Sequence, residues 1–226
     1  MTRRPATRRI VRLTPDVLEA LGEAGVRCRW CCWWELDAVR RGGLDEEDCA
    51  AEKDAWLSVV LREWGSCGRV VFVDDAPVGY VCYAPPGLVP GAAALPTAPV
   101  SADAVLLTTA FVAPEYAGGG LGRILVQAMA RDLIERGGIR AVEAFGARAS
   151  PGGCVVSAEF LARVGFKTRR DHPRTPRLRM DLRSALTWRD EVEAALERLV
   201  GVVRPPTPAL RRDGQRPATH TTPDVG

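Results

Sequence analysis

Several features that would assign a protein to a class are absent from this sequence of 226 residues. No apolar run approaches the length of a membrane-spanning helix, which argues against an integral membrane protein. The first residues, Met1-Thr2-Arg3-Arg4-Pro5, lack the apolar core of a secretion signal, so we expect a cytoplasmic protein. Only two histidines are present, His172 and His220, and their positions show no spacing of metal ligands.

Acidic residues are scarce at the two ends of the chain. Residues 1–12 hold five arginines and no acid, and residues 204–226 hold four arginines and two aspartates. The net charge of +3 therefore comes from the ends, and the body between them is mildly acidic. Basic ends can contact nucleic acid or can be solvated termini. An acidic body suits an amine substrate better than a nucleic acid, so we expect neither a nucleic-acid nor a membrane partner.

The seven cysteines lack the pattern of a complete zinc site. Cys28, Cys31 and Cys32 include one Cys-x-x-Cys, which is half of a common tetrahedral site, but the chain has no second pair. In a cytoplasmic chain, an odd number of scattered cysteines is expected to be mostly reduced thiols. The sequence therefore predicts no metal, while a metal- or redox-responsive module built on these three cysteines stays open as an alternative.

The hydrophobic pattern predicts a domain that mixes helices with a β-sheet. In chain order, we first predict helices over 14–25 and 45–65, strands over 69–73 and 78–83 with a turn at 74–77, and a long proline-rich loop over 85–102. A strand over 105–112, a glycine-rich turn and a helix over 124–134 follow. The remaining predicted elements are a strand over 139–145, a helix over 155–164, strands over 166–168 and 178–182, and an amphipathic helix over 187–200. From residue 205 onward, the composition is typical of a disordered tail.

The segment Ala117-Gly118-Gly119-Gly120-Leu121-Gly122-Arg123 is the most informative feature of the chain. It lies between a predicted strand and a predicted helix, where glycines let the backbone approach a ligand and the free N–H groups of the first helical turn attract an anion. It lacks the Lys-Ser or Lys-Thr of a Walker A loop and the third glycine of the dinucleotide pattern G-x-G-x-x-G. Its pattern is instead G-x-G-x-G, entered through Val112-Ala113-Pro114-Glu115-Tyr116.

This pattern resembles the pyrophosphate-binding segment of the GNAT superfamily of acyl-CoA N-acyltransferases, Val-x-Pro-Glu-Tyr-Arg-Gly-x-Gly-Ile-Gly-Arg. A second resemblance is the segment 158–166, which is similar to the late helix of the family and ends in Gly165-Phe166. The resemblance covers roughly residues 8–183. It implies a GNAT-like α/β fold, which is an α+β arrangement around one mixed sheet whose central strand bulges and splays from its neighbour.

The resemblance also implies where acetyl-CoA binds. Its pyrophosphate is expected on residues 117–123, and its pantetheine arm is expected to pair with the backbone of Ala110, Phe111 and Val112. The thioester would then lie in the gap between this strand and the strand over 139–145, where an amine attacks it directly. For the general base we predict Glu35, in the aromatic segment that follows the first helix, and Glu143, on the strand that flanks the gap.

Two positions depart from the family pattern. Ala117 stands where the family usually has Arg or Gln, which predicts weaker or altered CoA binding, although Arg123 could supply the charge. Leu161 stands where many relatives have a tyrosine that acts as the acid. Cys154 and Ser157 are weaker substitutes, and water could also protonate the departing thiolate.

The sequence thus predicts an N-acetyltransferase that transfers an acetyl group from acetyl-CoA to a primary amine of an unidentified acceptor, which is a small molecule or a peptide. The alternative is a non-catalytic acyl-CoA sensor, which the two departures would favour. We expect a basic N-terminal arm over 1–7, the acetyltransferase domain over 8–183, a helical extension over 184–204 and a tail over 205–226. The acceptor and the oligomeric state stay open.

Overall fold

A computed structural model of the chain describes residues 7–149 and 154–183. The strands are β1 (Arg8–Arg12), β2 (Gly68–Val73), β3 (Ala76–Ala84), β4 (Ala104–Val112), β5 (Ala141–Ala147), β6 (Val156–Ser157), β7 (Lys167–Arg170) and β8 (Arg177–Asp181). The α-helices are α1 (Pro15–Glu23), α2 (Ala38–Arg41), α3 (Glu46–Trp64), α4 (Leu121–Arg136) and α5 (Ala158–Arg163). None of the described helices is long and apolar enough to span a bilayer.

Parts of the predicted domain organisation lie outside the described residues. The chain divides into a unit over Met1–Asp190 and a unit over Glu191–Gly226, and the second unit falls entirely outside them. The predicted helix over 187–200, the tail over 205–226 and all of the basic arm except Thr7 also lie outside.

One mixed sheet organises the described residues. Its strand order is β1-β2-β3-β4-β5-β8-β7, and β6 pairs with the end of β5. The pairs β4–β5 and β5–β6 are parallel, and all other neighbours are antiparallel. This arrangement confirms the predicted fold class. The sequence pattern does not predict β1. The first strand of the sheet therefore lies before the first helix, whereas we predicted the first strand after the second helix.

Local signals set the ends of the helices as predicted. Asp45 precedes α3, and its side chain accepts the Asp48 N–H at 2.8 Å, while Gly65 ends the helix with φ of 86°. A left-handed residue after the last turn is the usual way to satisfy the final carbonyl groups, and glycine adopts it without steric cost. At the start of α1, Pro15 lies in the first turn as predicted, but the Thr14 side chain before it makes no capping hydrogen bond.

The predicted helix over 155–164 is wrong at its start. Val156 and Ser157 form β6, which pairs with Gly146 and Ala147 at the end of β5. The helix begins only at Ala158, because the Ser157 hydroxyl caps it by accepting a backbone N–H. This short strand extends the sheet beyond the point where β4 leaves β5.

The central strand β4 is bulged and splayed, as predicted. Its register against β3 shifts around Thr108, whose hydroxyl donates to the Cys82 carbonyl oxygen at 3.0 Å. Its parallel pairing with β5 ends at Leu106 opposite Glu143. The strand is buried up to Thr108 and half-buried from Thr109 onward. A V-shaped gap therefore opens between the second half of β4 and β5.

Each face of the sheet carries its own apolar core. On one face α4 packs through Leu125, Met129 and Leu133, and α5 adds the fully buried Leu161. On the other face α1 and α3 pack over Leu106 and Phe145. The gap lies between these two layers.

Candidate active site

The glycine-rich turn forms the start of α4. Gly118 and Gly120 both have φ of 79°, and the Ile124 N–H donates to the Gly120 carbonyl oxygen at 3.1 Å. The N–H groups of the three residues before Ile124 precede the first helical hydrogen bond, so they are free of intrahelical acceptors. Among the described residues, no atom lies within 4 Å of a Cβ placed on Gly118 or Gly120. The turn therefore presents open backbone donors at the positive end of a helix dipole.

A second requirement for glycine comes from packing. A Cβ on Gly122 would lie 2.7 Å from the Phe160 ring, so only glycine lets α5 approach the first turn of α4 this closely. Phe160 belongs to the segment that resembles the late helix of the family. The two sequence features that were recognised separately are thus in contact.

Only one of the two positions at the turn that could carry a positive charge does so. Ala117 is exposed and its methyl side chain has no charge, and its N–H donates to the Pro114 carbonyl oxygen at 3.1 Å. The Arg123 side chain is exposed on the first turn of α4, and its guanidinium donates to the Arg163 carbonyl oxygen at the end of α5 at 3.3 Å. Arg123 is therefore a positive charge beside the turn that also links α4 to α5.

The backbone of β4 faces the gap at alternate residues. Ala113 N–H donates to the Val78 carbonyl oxygen on β3 at 2.8 Å, and Phe111 pairs with Tyr80. Because backbone groups alternate in direction along a strand, Phe111 bonds toward β3, whereas Ala110 and Val112 direct their N–H and C=O groups toward the gap. Of the three residues predicted to bind pantetheine, these two have the exposed backbone groups that can pair with an added strand.

Aromatic residues lie on the α1/α3 side of the gap. Trp34 is buried, stacks on Phe145 of β5 at a centroid distance of 6.2 Å, and donates its Nε1–H to the Cys154 carbonyl oxygen at 2.8 Å. Trp33 is half-buried, and the Arg41 guanidinium already lies 5.4 Å from its ring centroid. Trp34 is thus a packing residue that fixes the end of β5, and a resident cation occupies the neighbourhood of the Trp33 ring.

Glu35 lies in a buried ion pair with Lys53 of α3. Glu35 is 5% exposed, Lys53 Nζ contacts its Oε1, and its Oε2 has no hydrogen-bond partner. Burial alone lowers the pKa of Lys53, but the Glu35 carboxylate outweighs it and raises that pKa above its ordinary value. A cavity of about 10 Å³ beside the pair is also lined by Tyr80 and by Thr109, the first half-buried residue of β4.

Lys53 is a residue that the sequence analysis missed. The buried residues of α3 include Ala50, Lys53, Leu57 and Val60, so the lysine lies in the apolar stripe of the helix. A lysine at such a position requires a buried partner. This helical spacing was the signal that could have predicted the ion pair.

Glu143 lies at the closed end of the gap, where β4 and β5 are still paired. It is completely buried, its Oε2 accepts from Arg177 Nη1 at 2.7 Å and from the Ser101 N–H at 3.1 Å, and Arg179 Nη1 lies 3.3 Å from Oε1. Arg177 also donates to the Pro99 carbonyl oxygen. The carboxylate therefore joins β5, β8 and the proline-rich loop over 85–102.

Both alternative proton donors, Ser157 and Cys154, have a hydrogen-bond partner in the structure. Leu161 is fully buried in the α4-side core, and the Ser157 hydroxyl accepts the Phe160 N–H at 3.4 Å. The Cys154 thiol is hydrogen-bonded to the Cys31 thiol, and this contact, together with burial, raises the pKa of Cys154 above its ordinary value. The tyrosine position of the family is thus occupied by a core side chain.

The three clustered cysteines take different partners. Cys32 forms a disulfide with Cys49 of α3, Cys28 is hydrogen-bonded to the Tyr80 hydroxyl, and Cys31 contacts Cys154. Five of the seven cysteines are free, as expected of mostly reduced thiols, but the sequence did not predict the Cys32–Cys49 disulfide, which forms because the segment after α1 packs on α3 and brings the two Cα atoms within 5.0 Å. Within residues 7–149 and 154–183, no group of three His, Cys, Asp or Glu side chains could hold a metal ion.

Comparison with known proteins agrees with this geometry. Residues 30–153 match the model of the acetyltransferase (GNAT) family. Among solved structures, the aminoglycoside acetyltransferase AAC(6')-Ib, crystallised with coenzyme A, aligns with a TM-score of 0.52 at 14% identity over 80% of this chain and 98% of its own. An N-acetyltransferase from Staphylococcus aureus Mu50 aligns with a TM-score of 0.51 at 12% identity over 78% of this chain and 99% of its own. No curated protein sequence matches the chain.

Proposed function

Because this chain belongs to the acetyltransferase (GNAT) family and is an acyltransferase, we propose that it transfers the acetyl group of acetyl-CoA to a primary amine by direct attack. The observation that carries the proposal is the open glycine-rich turn at the start of α4 beside the splayed gap of β4. The turn provides backbone donors for the phosphate groups of a co-substrate, and the exposed side of β4 provides backbone groups for an extended arm.

The pyrophosphate of acetyl-CoA would bind the backbone N–H groups of residues 118–123, since the Ala117 N–H already donates to the Pro114 carbonyl oxygen. Gly118 and Gly120 leave the approach open, and the Arg123 side chain supplies a positive charge nearby. The pantetheine arm would then pair with Ala110 and Val112, which directs the thioester toward the acceptor side of the gap. The absence of a charge at Ala117 supports a weaker affinity than a turn with arginine at this position.

The acceptor amine would enter from the α1/α3 side of the gap. Its lone pair attacks the thioester carbonyl carbon, the carbonyl oxygen acquires the negative charge, and the carbon–sulfur bond breaks as the thiolate leaves. The nitrogen must lose a proton to a base. Glu35 Oε2 suits this role, because it has no partner and borders a cavity that also contacts Thr109 of β4. The cavity has room for about one water molecule to carry the proton.

Glu143 remains the second carboxylate predicted for this role. Both of its oxygens are already bound, by two arginines and a backbone N–H. We therefore propose that Glu143 positions the closed end of the gap and that Glu35 removes the proton. No tyrosine stands at Leu161, so the departing CoA thiolate would take its proton from water.

The test of the reaction is release of the CoA thiol over a panel of amines, which includes small polyamines, aminoglycosides, peptide N-termini and lysine. Turnover is expected with one class, and Glu35→Gln should lower kcat about 10²-fold or more if Glu35 is the base. Since this change leaves Lys53 buried without its partner, the double variant Glu35→Gln/Lys53→Met is measured beside it. A folded double variant that retains the kcat of the parent chain would exclude Glu35.

A matched control separates catalysis from loss of a buried ion pair. Asp132 of α4 pairs with Arg69 and accepts the Tyr83 hydroxyl at 2.6 Å on the other face of the sheet. Asp132→Asn breaks a pair of comparable burial and should lower the free energy of unfolding while kcat stays within about twofold.

A non-catalytic acyl-CoA sensor is the second candidate function. Ala117 and the core position of Leu161 favour it, because the chain lacks two side chains that relatives use for binding and protonation. Calorimetry with acetyl-CoA distinguishes the two functions. Binding without thiol release across the whole amine panel supports the sensor, and turnover of any amine excludes it.

A further inference from the structure

Two thiols from distant parts of the chain meet at the acceptor side of the gap. Cys31 follows the short helical turn Arg27–Trp30, and Cys154 directly precedes the segment that forms β6. Their side chains are hydrogen-bonded to each other, and both residues are partly exposed. The Trp34 bond to the Cys154 carbonyl oxygen holds the two segments together beside this contact.

The surroundings of Cys31 favour its thiolate. The largest effect on the pKa of Cys31 is the hydrogen bond that the Cys154 thiol donates to it, which lowers this pKa. Burial raises the pKa, whereas the Trp33 N–H and the Lys53 charge lower it further. Together they lower the pKa of Cys31 to about 6, so that the thiolate predominates at neutral pH. Cys154 keeps its proton, because the contact raises its pKa. The pair therefore consists of one nucleophile and one thiol held beside it.

We propose that Cys31 and Cys154 form a redox-active dithiol, a modification site at which a hydroperoxide produces a Cys31–Cys154 disulfide. The Cys31 thiolate attacks the terminal oxygen of the hydroperoxide, so a sulfur–oxygen bond forms, the oxygen–oxygen bond breaks, and hydroxide leaves from hydrogen peroxide or an alkoxide from an organic hydroperoxide. The Cys154 sulfur then attacks the Cys31 sulfur, the sulfur–oxygen bond breaks, and the hydroxyl leaves with the Cys154 proton as water. The two sulfurs lose two electrons in total, and the hydroperoxide accepts them.

The disulfide would join two elements that both border the acceptor side. Cys31 lies just before Trp33, Trp34 and Glu35, and Cys154 lies just before β6 at the open end of β5. On the basis of the proposed function, the cross-link holds these elements in one arrangement and lowers amine turnover. The glycine-rich turn lies at the start of α4, apart from both cysteines, so CoA binding should persist in the oxidised protein.

The chain contains its own comparison for this site. Cys67 and Cys82 are also hydrogen-bonded to each other through their thiols, but they are 0% and 6% exposed. Peroxide must reach a thiolate to oxidise it, so contact alone is insufficient and exposure decides. Cys67 and Cys82 are therefore expected to stay reduced under conditions that oxidise Cys31.

The experiment treats the full chain with hydrogen peroxide at pH 7, blocks the remaining thiols, and identifies cross-linked peptides by mass spectrometry. We expect a Cys31–Cys154 peptide, loss of two of the five free thiols, and full recovery with dithiothreitol. In Cys154→Ser, Cys31 should instead accumulate as a sulfenic acid that dimedone captures. Cys28→Ser, which removes a neighbouring thiol that contacts Tyr80, should leave the cross-link unchanged.

The detection of the Cys31–Cys154 peptide does not depend on acetyl transfer. The experiment therefore tests the redox-active dithiol separately from the proposed function. Formation of the cross-link with no effect on turnover would remove its regulatory consequence and leave the modification site intact. A Cys28–Cys31 link, exchange with the Cys32–Cys49 disulfide, or irreversible oxidation of Cys31 without a Cys154 peptide would each overturn the proposal.

Discussion

Gly120 precedes α4 and Gly65 ends α3, and both have the left-handed backbone conformation. Their φ and ψ values are 79° and 0° for Gly120 and 86° and −16° for Gly65, and a Cβ placed on either residue would meet no atom closer than 3.8 Å. An alanine at either position would therefore meet backbone strain and no steric clash. Only Gly120 belongs to the turn that we propose for the pyrophosphate, which makes the two residues a matched pair.

Gly120→Ala and Gly65→Ala should each lower the free energy of unfolding by about 1–2 kcal/mol, because an L side chain disfavours the left-handed region. Only Gly120→Ala should weaken CoA binding, by tenfold or more, since it alters the backbone donors of the turn. Urea denaturation and calorimetry measure the two effects. Equal CoA affinities in the two variants would contradict the assignment of the turn.

The ionisation of Cys31 gives a second prediction at this scale. An ordinary thiol has a pKa of 9.0 and is mostly protonated at pH 7, whereas the Cys31 pKa of about 6 leaves it mostly ionised. Its alkylation rate with iodoacetamide should therefore be nearly constant above pH 7 and fall about tenfold per pH unit below pH 6.

Cys154→Ala removes the thiol that donates to Cys31 and provides the control. The pKa of Cys31 should move toward the ordinary value, so the fall in alkylation rate should begin at a higher pH. Mass spectrometry of the labelled Cys31 peptide follows the rate in both proteins. An unchanged pH profile would show that the contact between the two thiols does not control the ionisation.

Glu143 matters at the scale of elements, because it joins three of them. The proline-rich loop contributes the Ser101 N–H and the Pro99 carbonyl oxygen, β5 contributes Glu143, and β8 contributes two arginines. The long loop, which lacks regular strands, is thereby fixed to the sheet at the closed end of the gap. Ion pairs, not apolar contacts alone, determine where the gap begins.

Glu143→Gln should lower the free energy of unfolding by about 3–5 kcal/mol, because it leaves Arg177 without its buried counter-charge, although Arg179 keeps Asp103 and Asp181. The exposed partner of the same network is the control. Asp181 also binds Arg179 but its side chain is 60% exposed, so Asp181→Asn should change the stability by about 0–1 kcal/mol. Urea denaturation of both variants tests the difference, and similar losses would argue against a structural role for Glu143.

At the scale of the whole molecule, the helical layers on the two faces of the sheet contribute different parts of the candidate site. The α4 side presents the glycine-rich turn, and the α1/α3 side presents Glu35, the tryptophans and the cysteine pair. Because the gap in the sheet connects the layers, a co-substrate on one side can meet an acceptor from the other. Because CoA should bind the folded protein and not the unfolded chain, its binding should stabilise the whole sheet.

Saturating acetyl-CoA should raise the free energy of unfolding by about 2.7 kcal/mol at a hundred times its Kd. For a protein of this size the gain corresponds to a rise in Tm of roughly 5–10 °C. Thermal denaturation with increasing acetyl-CoA measures it, and Gly120→Ala should show a smaller shift at each concentration. No shift with folded protein would contradict CoA binding.

Much of the fold follows from local patterns, and much of the site does not. The cap at Asp45, the glycine at the end of α3 and the alternation of β8 predict their elements, because each depends on neighbours a few residues away. The short strands β1 and β6 escape prediction, since they are stabilised by pairing with β2 and β5 and not by their own sequence. The start of α5 was misplaced for the same reason.

By itself, the sequence determined the glycine-rich turn, the strand before it and the helix after it, because positive φ angles and free N–H groups are properties of a short segment. Only the tertiary structure decided the partners of the side chains around the gap. Lys53 for Glu35, two arginines for Glu143, Cys154 for Cys31 and Cys49 for Cys32 all come from distant segments. Such partners depend on how helices pack on the sheet, and that packing is set by the whole core.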